Sequence, residues 1–458
     1  MTDYIKLLLL PELQLSSAAQ FFLLRFVQQF GLGRAVTLGV KELAKALGMT
    51  DRVISLASKE LAAGGYLNLR LLAGGKGRPS TEYECLDIPT AKRKRGTGVG
   101  ARPVIHAQRI DKLLRASTDK SADGLSWSNR LLLAVLLVHA DEFGVVRGLG
   151  LRDLSDLTGL RKDVLANRLQ LLIDKCFIRA RVPGATGSGL FRPMKSAYYL
   201  NLPLLSSPLA HADAVLIHCS WWKTYQNEMS EAERIFGFAA VLKEGLIPGD
   251  SYDLEQFPYL RHVEPLVGKL NDSRTSRFIP TLQSRLDDYA AILLSSHWSE
   301  IQGQAEKHDH GLFRRIYREC RVVRNLTDRA GKPLRKELLL LLMGAARHRA
   351  KSIQHDLIAN FSELPLESLS YLVMPSSKQR LKEAGLKEGQ IPIVTTLLVA
   401  ARQPWAISGC HVAVRDQCGQ PSVEHLGNES ALSLDLSRRY GLQSLAGEAL
   451  QAKDAGAA

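Results

Sequence analysis

An internal repeat is the feature that most limits what this chain of 458 residues can fold into. The stretches 40–50 and 151–161 align without a gap at an offset of 111 residues, and the match continues to residues 70 and 181. The identical pairs are Leu43/Leu154, Gly48/Gly159, Val53/Val164, Leu61/Leu172 and Arg70/Arg181. Because repeated sequence predicts repeated structure, the two regions should be copies of one small domain.

Each copy has the same predicted order of elements. A long apolar helix is followed by an extended segment, a short helix that ends at a glycine, a second helix and a β-hairpin. The first copy has these elements at 16–30, 34–38, 40–47, 51–63 and 66–72 with 83–86; the second has them at 126–140, 145–150, 151–157, 162–175 and 177–182 with 197–202. Each copy is therefore predicted to be a helix-turn-helix followed by a hairpin.

The turn and second helix of both copies resemble the recognition region of bacterial winged helix-turn-helix proteins. The first copy carries Gly48-Met-x4-Ile-x3-Ser-x2-Leu-x3-Gly-Tyr-Leu67, and the second carries Gly159-Leu-x4-Leu-x3-Leu-x2-Leu-x3-Cys-Phe-Ile178. The stretch Lys76-Gly-Arg-Pro-Ser-Thr-Glu-Tyr83 resembles the basic wing of such proteins. The chain departs from the pattern at Ser58, where an apolar residue is usual, and at Cys176, where glycine is usual. The resemblance covers residues 15–87 and 125–203, which is under half of the chain.

The resemblance and the helical periodicity together predict a mainly α fold with two winged helices in tandem and a helical C-terminal domain. The predicted segments are a first winged helix (1–87), a basic linker with a helix at 104–117 (88–124), a second winged helix (125–205), a helical oligomerisation or effector domain (212–441) and a disordered tail (442–458). The C-terminal helices are predicted at 230–243, 278–302, 311–325 and 334–360. The run 392–401 could be helix or strand.

Positive charge is concentrated in the N-terminal part of the chain. Residues 1–210 hold 30 Lys and Arg against 17 Asp and Glu, whereas residues 211–458 hold 30 against 29. An anionic partner is therefore expected at the N-terminal part, and the simplest is double-stranded DNA. The other interpretation is a basic protein with incidental asymmetry.

The candidate DNA-binding residues are those predicted to face outward on the second helices, together with basic residues of the first wing and the linker. They are Thr50, Asp51, Arg52, Ser55, Lys59, Lys76, Arg78, Lys92, Arg93, Lys94, Arg95, Arg161, Lys162, Asn167 and Gln170. Arginine can bind guanine through two hydrogen bonds, and Asn and Gln suit adenine. The alternative for any one of them is a solvated helix face, and for the linker cluster a solvated linker.

Other classes of protein have little support in the sequence. The phosphate-binding loop, H-E-x-x-H and G-x-S-x-G motifs are absent from it, so we expect no enzyme activity. The cysteines and histidines at 410, 411, 418 and 425 lack zinc-knuckle spacing, so neither a metal nor a cofactor is expected. The apolar runs are too short to span a bilayer, and the sparse cysteines fit a reducing compartment. We therefore expect a cytoplasmic protein without a membrane partner.

These observations favour a sequence-specific transcriptional regulator that forms a homodimer through its C-terminal domain. The alternative is a replication initiator of a plasmid, phage or integrated mobile element, because some initiators also carry tandem winged helices. A third alternative is an architectural or partner-binding scaffold without sequence preference. In a further interpretation, the winged helices serve only as protein-interaction modules.

Overall fold

The computed structural model divides into two compact units, Met1–Phe177 and Ile178–Ala458. It describes residues 3–10, 14–72, 80–86, 104–115, 124–185, 191–205, 214–220, 229–249, 252–270, 278–303, 310–319, 334–375, 393–401, 409–415, 421–427, 432–440 and 442–443. The first unit contains α1 (Asp3–Leu7), α2 (Ser17–Phe30), β1 (Ala35–Leu38), α3 (Val40–Leu47), α4 (Asp51–Ala63), β2 (Leu67–Leu72), β3 (Ser80–Cys85), α5 (Ala107–Arg115), α6 (Trp127–His139), β4 (Val145–Arg147), α7 (Leu151–Thr158) and α8 (Lys162–Asp174).

The first copy of the repeat folds in the predicted order of elements. Strands β1, β2 and β3 form an antiparallel sheet in the order β1-β3-β2, with Val36 and Leu69 both opposite Tyr83. The observed bounds of α3 and α4 are the predicted ones, and α2 begins one residue later than predicted because Ser16 is its N-cap. In the second copy, α6, β4, α7 and α8 follow the same order.

The turns between paired helices have left-handed backbone at matching positions. Gly48 ends α3 with a φ of 68°, and Gly159 ends α7 with a φ of 63°. After the second helix, Gly65 and Cys176 also correspond, with φ values of 73° and 63°. Cysteine therefore occupies the conformation that glycine adopts in the first copy, and the departure from the family pattern leaves the local turn intact.

Helices α2 and α6 form the shared interior of the first unit. Both begin after a serine N-cap, and on each the residue four positions later donates back to the carbonyl of the preceding leucine: Gln20 Nε2 to Leu15 at 3.4 Å and Arg130 Nε to Leu125 at 3.2 Å. The rings of Phe21 and Trp127 lie 5.9 Å apart across the contact. The two copies therefore pack together through their first helices.

Buried Arg25 holds α3 against α2. Its Nη2 donates to the carbonyl of Ala46 at 3.0 Å, at the C-terminal end of α3, where a cation is favourable. Burial lowers the pKa of Arg25 to about 10, so the side chain remains charged at neutral pH. This contact fixes the short helix on which the turn to α4 depends.

The second unit is a mixture of helices and strands, so the prediction of a mainly α fold is only partly right. Its helices are α9 (Glu231–Lys243), α10 (Val267–Leu270), α11 (Ile279–Ser296), α12 (His310–Glu319), α13 (Arg335–Asn360) and α14 (Leu434–Arg439), with short 3-10 segments at Pro203–Leu205, Pro258–His262, Glu264–Leu266, Trp298–Glu300 and Leu366–Ser368. Its strands are β5 (Ile178–Val182), β6 (Ala197–Leu200), β7 (Ala214–Ser220), β8 (Leu369–Val373), β9 (Ile393–Ala401), β10 (Cys410–Arg415) and β11 (Pro421–His425).

Five of these strands form one sheet in the order β11-β10-β7-β9-β8. Only the β10–β7 pair is parallel, while the other three pairs are antiparallel. Helix α11 packs against β8 and α13, and a continuous core joins the helices to the sheet. The prediction of a helical bundle therefore omitted the five-stranded sheet against which the helices pack.

The hairpin formed by β5 and β6 packs within the second unit. All four residues of β6 are buried, and the Tyr199 and Ser284 hydroxyls are 3.1 Å apart. Thr281 Oγ1 also donates to the carbonyl of Pro183 at 2.9 Å. The base of this hairpin is therefore held by α11. Among the described residues, no helix is long and apolar enough to cross a membrane.

Candidate nucleic-acid interface

Helix α4 buries one face and exposes a polar face. Ile54, Ala57, Ser58 and Leu61 are buried. Asp51, Arg52, Ser55, Leu56 and Lys59 fall within an arc of about 140° on the other side, at 100° per residue. Ser58 is accommodated because its hydroxyl donates to the carbonyl of Ser55 at 3.3 Å. The core face of this helix follows the prediction, whereas Ser55, which was predicted to face outward, is half-buried.

Two cations dominate the exposed face of α4. Arg52 and Lys59 are exposed, and neither forms an ion pair with a described residue. The other predicted contacts are less available: the Ser55 hydroxyl donates to the carbonyl of Asp51 at 2.9 Å. Thr50 occupies the N-cap position but makes no capping hydrogen bond, so its exposed hydroxyl is open to a ligand.

Helix α8 also has a buried apolar face and an exposed face, but its exposed side chains differ in type from those of α4. Leu165, Leu169 and Leu172 are buried, whereas Lys162 and Asn167 are exposed. The offset of 111 places Asn167 at the position of Leu56, and Gln170 at that of Lys59. The exposed face therefore carries amides where the first copy carries an apolar group and a cation.

The N-terminal end of α8 is held by an exposed ion pair between Arg161 and Asp163. Arg161 Nε donates to Asp163 Oδ1 at 3.1 Å, and a second bond joins Nη2 to Oδ2. The hydrogen bond from Arg161 lowers the pKa of Asp163 to about 2, so both groups are charged at neutral pH. Arg161 is therefore already engaged, and Lys162 is the available cation at this end.

The two amides of α8 differ in their surroundings. Gln170 Nε2 donates to Asp174 Oδ1 at 2.9 Å on the same helix. Asn167 has no such bond to a described residue, and its side chain is exposed. The neighbouring Arg168 makes internal contacts, since its Nη1 lies 3.0 Å from Ser126 Oγ and 3.2 Å from Asn129 Oδ1. Of the two amides, Asn167 is therefore the one whose hydrogen-bonding groups are available to a ligand.

One short segment links α4 of the first copy to the turn before α8 of the second copy. Ser16 donates through its backbone nitrogen and its hydroxyl to the Glu60 carboxylate of α4, at 2.6 and 2.5 Å. The same segment passes close to the turn before α8: a Cβ atom on Gly159 would overlap the carbonyl oxygen of Leu15. A cleft of about 560 Å³ opens beside this contact, lined in part by Gln14, Ser155 and Arg161. Sequence reasoning missed this link, which joins residues far apart in the chain.

Exposed apolar residues accompany the polar ones in the first copy. Leu56 is 61% exposed on α4, and Leu71 is 76% exposed on β2, next to exposed Arg70. The outward position of Leu56 follows from the helical periodicity, but its type had not suggested a contact. An apolar side chain at such a place can contact a thymine methyl group.

The remaining predicted contacts lie outside the described residues. These are Lys76 and Arg78 of the first wing and Lys92, Arg93, Lys94 and Arg95 of the linker, as well as residues 444–458 of the predicted tail. In the described part of the chain, no group of three or more His, Cys, Asp or Glu side chains could hold a metal ion.

Comparisons with protein-family models, with curated proteins and with solved structures found no match to this chain. An assignment of function therefore depends on its own residues and their arrangement.

Proposed function

We propose that this chain is a sequence-specific, double-stranded DNA-binding protein with two winged helices in tandem, and that it acts as a bacterial transcriptional regulator. The observation that carries the proposal is the pair of helices α4 and α8. Each follows a left-handed glycine turn, and each exposes an arc of polar residues opposite a buried face. An α-helix of this kind fits the major groove, where the base edges present distinct donors and acceptors.

The two helices would divide the work of recognition. Arg52 suits guanine, which offers two acceptors to a guanidinium group, and Lys59 suits a phosphate or a base edge. Asn167 suits adenine, which pairs one acceptor with one donor. The sequence-independent part of the affinity comes from the excess of 30 basic over 17 acidic residues in 1–210, through release of counterions from the DNA.

The contact between the segment 14–17, Glu60 and Gly159 supports simultaneous binding by both helices. Because Ser16 is tied to α4 and Leu15 lies against the turn before α8, movement of one helix relative to the other breaks these contacts. Such a link favours DNA sites in which the bases contacted by α4 and the bases contacted by α8 are separated by one fixed distance. It also limits the entropy lost on binding, since the two helices are held before the DNA arrives.

A replication initiator is the rival within the same class, because the resemblance also covers initiators with tandem winged helices. Mapping of bound DNA across the source genome separates the two. A regulator is expected to occupy a palindromic site that overlaps a promoter, its own included. An initiator would occupy several direct repeats beside a region of local strand opening. Uniform binding to all duplex sequences would contradict both functions.

A further inference from the structure

We propose that helix α12 of the second unit carries a binding surface for single-stranded nucleic acid, separate from the duplex-binding helices of the first unit. The surface consists of Phe313, Arg314, Tyr317 and Arg318, with Arg335 beside it. It is defined here as the α12 surface.

The four α12 residues share one face of the helix. At 100° per residue, Phe313, Tyr317, Arg314 and Arg318 fall within an arc of about 140°. All four are exposed, and the two rings are 38% and 39% exposed. The opposite face holds Leu312 and Ile316, which are buried in the core of the unit. The aromatic residues are therefore on the outer face although the helix has an inner face available for apolar groups.

The two rings form an ordered pair. The centroids of Phe313 and Tyr317 are 6.4 Å apart with an interplanar angle of 26°, one helical turn apart along the chain. The guanidinium carbon of Arg335 lies 3.4 Å from the centroid of the Tyr317 ring. This cation fixes the ring on one side, so the pair presents π surface without a large loss of side-chain freedom on binding.

The cations at this surface are not neutralised by described carboxylates. Arg314, Arg318 and Arg335 form no ion pair with a described residue, whereas Arg315, on the inner side, pairs with Glu319 at 3.3 Å. Two cations that have no ion pair within the described parts of the chain therefore flank the ring pair, and a third lies against it.

The charge of the sequence singles out the same place. Residues 310–336 hold nine Lys and Arg against two Asp and Glu, a net of +7. Residues 211–458 as a whole hold 30 against 29, so the rest of this part has 21 basic and 27 acidic residues, a net of −6. The stretch 310–336 is therefore strongly basic in a part of the chain whose other residues are net acidic, and it includes the helix with the exposed ring pair.

Exposed aromatic rings between cations match the chemistry of a single strand. Unstacked bases bind aromatic faces, and the adjacent phosphates bind the arginines, with little dependence on sequence. A duplex offers phosphates but keeps its bases stacked, so the rings would have no ligand there. A surface of this kind would favour the initiator over the regulator, although the inference itself does not depend on the winged helices.

The test is binding of the full chain to fluorescent oligo-dT of 20 nucleotides, with oligo-U of the same length to compare DNA and RNA. Phe313→Ala and Tyr317→Ala should each weaken binding at least about fivefold, because stacking is lost. Arg314→Ala with Arg318→Ala should flatten the salt dependence by about 1.4 in logarithmic slope. Ile247→Ala is the matched control, because Ile247 is 94% exposed in the same unit and lies outside α12.

Two further readouts decide between stacking and charge. With 5-iodouracil in the oligonucleotide, photo-crosslinks should fall on Phe313 or Tyr317. Duplex binding by the Phe313 and Tyr317 variants should equal that of the wild type, whatever the fate of the winged-helix proposal. Unchanged oligo-dT affinity in folded Phe313→Ala and Tyr317→Ala variants would overturn the inference. Equal oligo-dT affinity of a Phe313→Leu/Tyr317→Leu variant would also overturn it, because leucine keeps the apolar area but cannot stack on a base.

Discussion

Asn167 is the residue whose exposure and chemistry most directly suggest base recognition. Its side chain is exposed on α8 and has no hydrogen bond to a described residue, and it is uncharged, so counterion release does not explain it. Asn167→Ala should therefore cost roughly 1–3 kcal/mol on the specific duplex and almost nothing on a scrambled one.

Paired binding isotherms on the two duplexes measure this difference, with a thermal melt to check folding. Gln170→Ala is the matched control on the same face, because its amide is already bonded to Asp174. Equal losses on both duplexes would identify Asn167 as a backbone contact. An unchanged affinity on both would remove α8 from the set of base-reading elements.

Gly65 and Gly159 have similar backbone conformations but different surroundings. Their φ values are +73° and +63°, yet a Cβ atom on Gly65 meets nothing within 4 Å, whereas one on Gly159 overlaps the Leu15 carbonyl and lies 2.8 Å from the Ser17 nitrogen. Gly65→Ala should cost about 1 kcal/mol from the left-handed conformation alone. Gly159→Ala should cost about 1–3 kcal/mol more, because the backbone of residues 15–17 must move.

The free energies of opening measured by hydrogen exchange in α2, α4 and α8 test this pair of substitutions. The variant Gly159→Ala should also weaken duplex binding, since it displaces the segment that links the two copies, while Gly65→Ala should not. Equal stability of the two variants would mean that the segment 14–17 is not fixed against the turn.

At the scale of elements, the N-terminal repeat was predictable and the C-terminal sheet was not. The boundaries of α3 and α4 could be predicted because a glycine ends α3 and because the apolar residues recur with helical spacing. The second copy of the repeat shows the same pattern and supports each prediction. The strand β9, Ile393–Ala401, is a short apolar run, and periodicity alone does not distinguish such a run from a buried helix. The long apolar stretches that form α11 and α13 then made an all-helical domain the natural prediction.

The candidate site shows the same limit. The outward faces of α4 and α8 could be predicted because a helix buries residues at regular spacing. The bond between Ser16 and Glu60 and the contact between Leu15 and Gly159 could not, because both depend on how the copies pack. Similarly, no pattern in the sequence distinguishes free Asn167 from Gln170, which is bonded to Asp174.

Three helices of the second unit share a buried polar network with a testable dependence on pH. Arg349 Nε of α13 donates to Asp287 Oδ1 of α11 at 3.1 Å, and Gln283 Nε2 lies 3.1 Å from both Asp287 Oδ1 and Glu231 Oε2 of α9. Burial raises the pKa of Asp287 to about 6 against the opposing charge of Arg349. Arg349 therefore compensates a carboxylate that is ionised at neutral pH and largely protonated at pH 5.

Arg349→Met should destabilise the second unit by about 3–5 kcal/mol at pH 7.5, because it leaves the buried Asp287 carboxylate without its compensating cation. Since the pKa of Asp287 is raised, its charged form is the costly one, and that cost is present above about pH 6 and fades below it. The loss should therefore be smaller at pH 5. Hydrogen exchange in α11 and α13 at the two pH values measures it, with Lys351→Met as the control on α13. A loss of equal size at both pH values would contradict this role of Asp287.

At the scale of the whole molecule, the N-terminal part of the sequence, residues 1–210, differs in charge from the rest, and the two units, which divide at residue 177, differ in fold. The N-terminal part combines a repeated helix-turn-helix with nearly all of the net positive charge, and the C-terminal part combines a mixed sheet with one basic helix region. This division is consistent with the proposal that the first part recognises duplex DNA and the second binds another ligand or serves assembly. The central claim is that α4 and α8 read base sequence.

Selection from a library of random duplexes by the full-length protein tests that claim most directly. The wild type should enrich one defined motif. A doubly substituted Arg52→Ala/Asn167→Ala protein, with an unchanged melt, should keep its salt-dependent binding but lose preference at the guanine and adenine positions of the motif. Failure of the wild type to enrich any motif, or enrichment of the same motif by the doubly substituted protein, would contradict the claim.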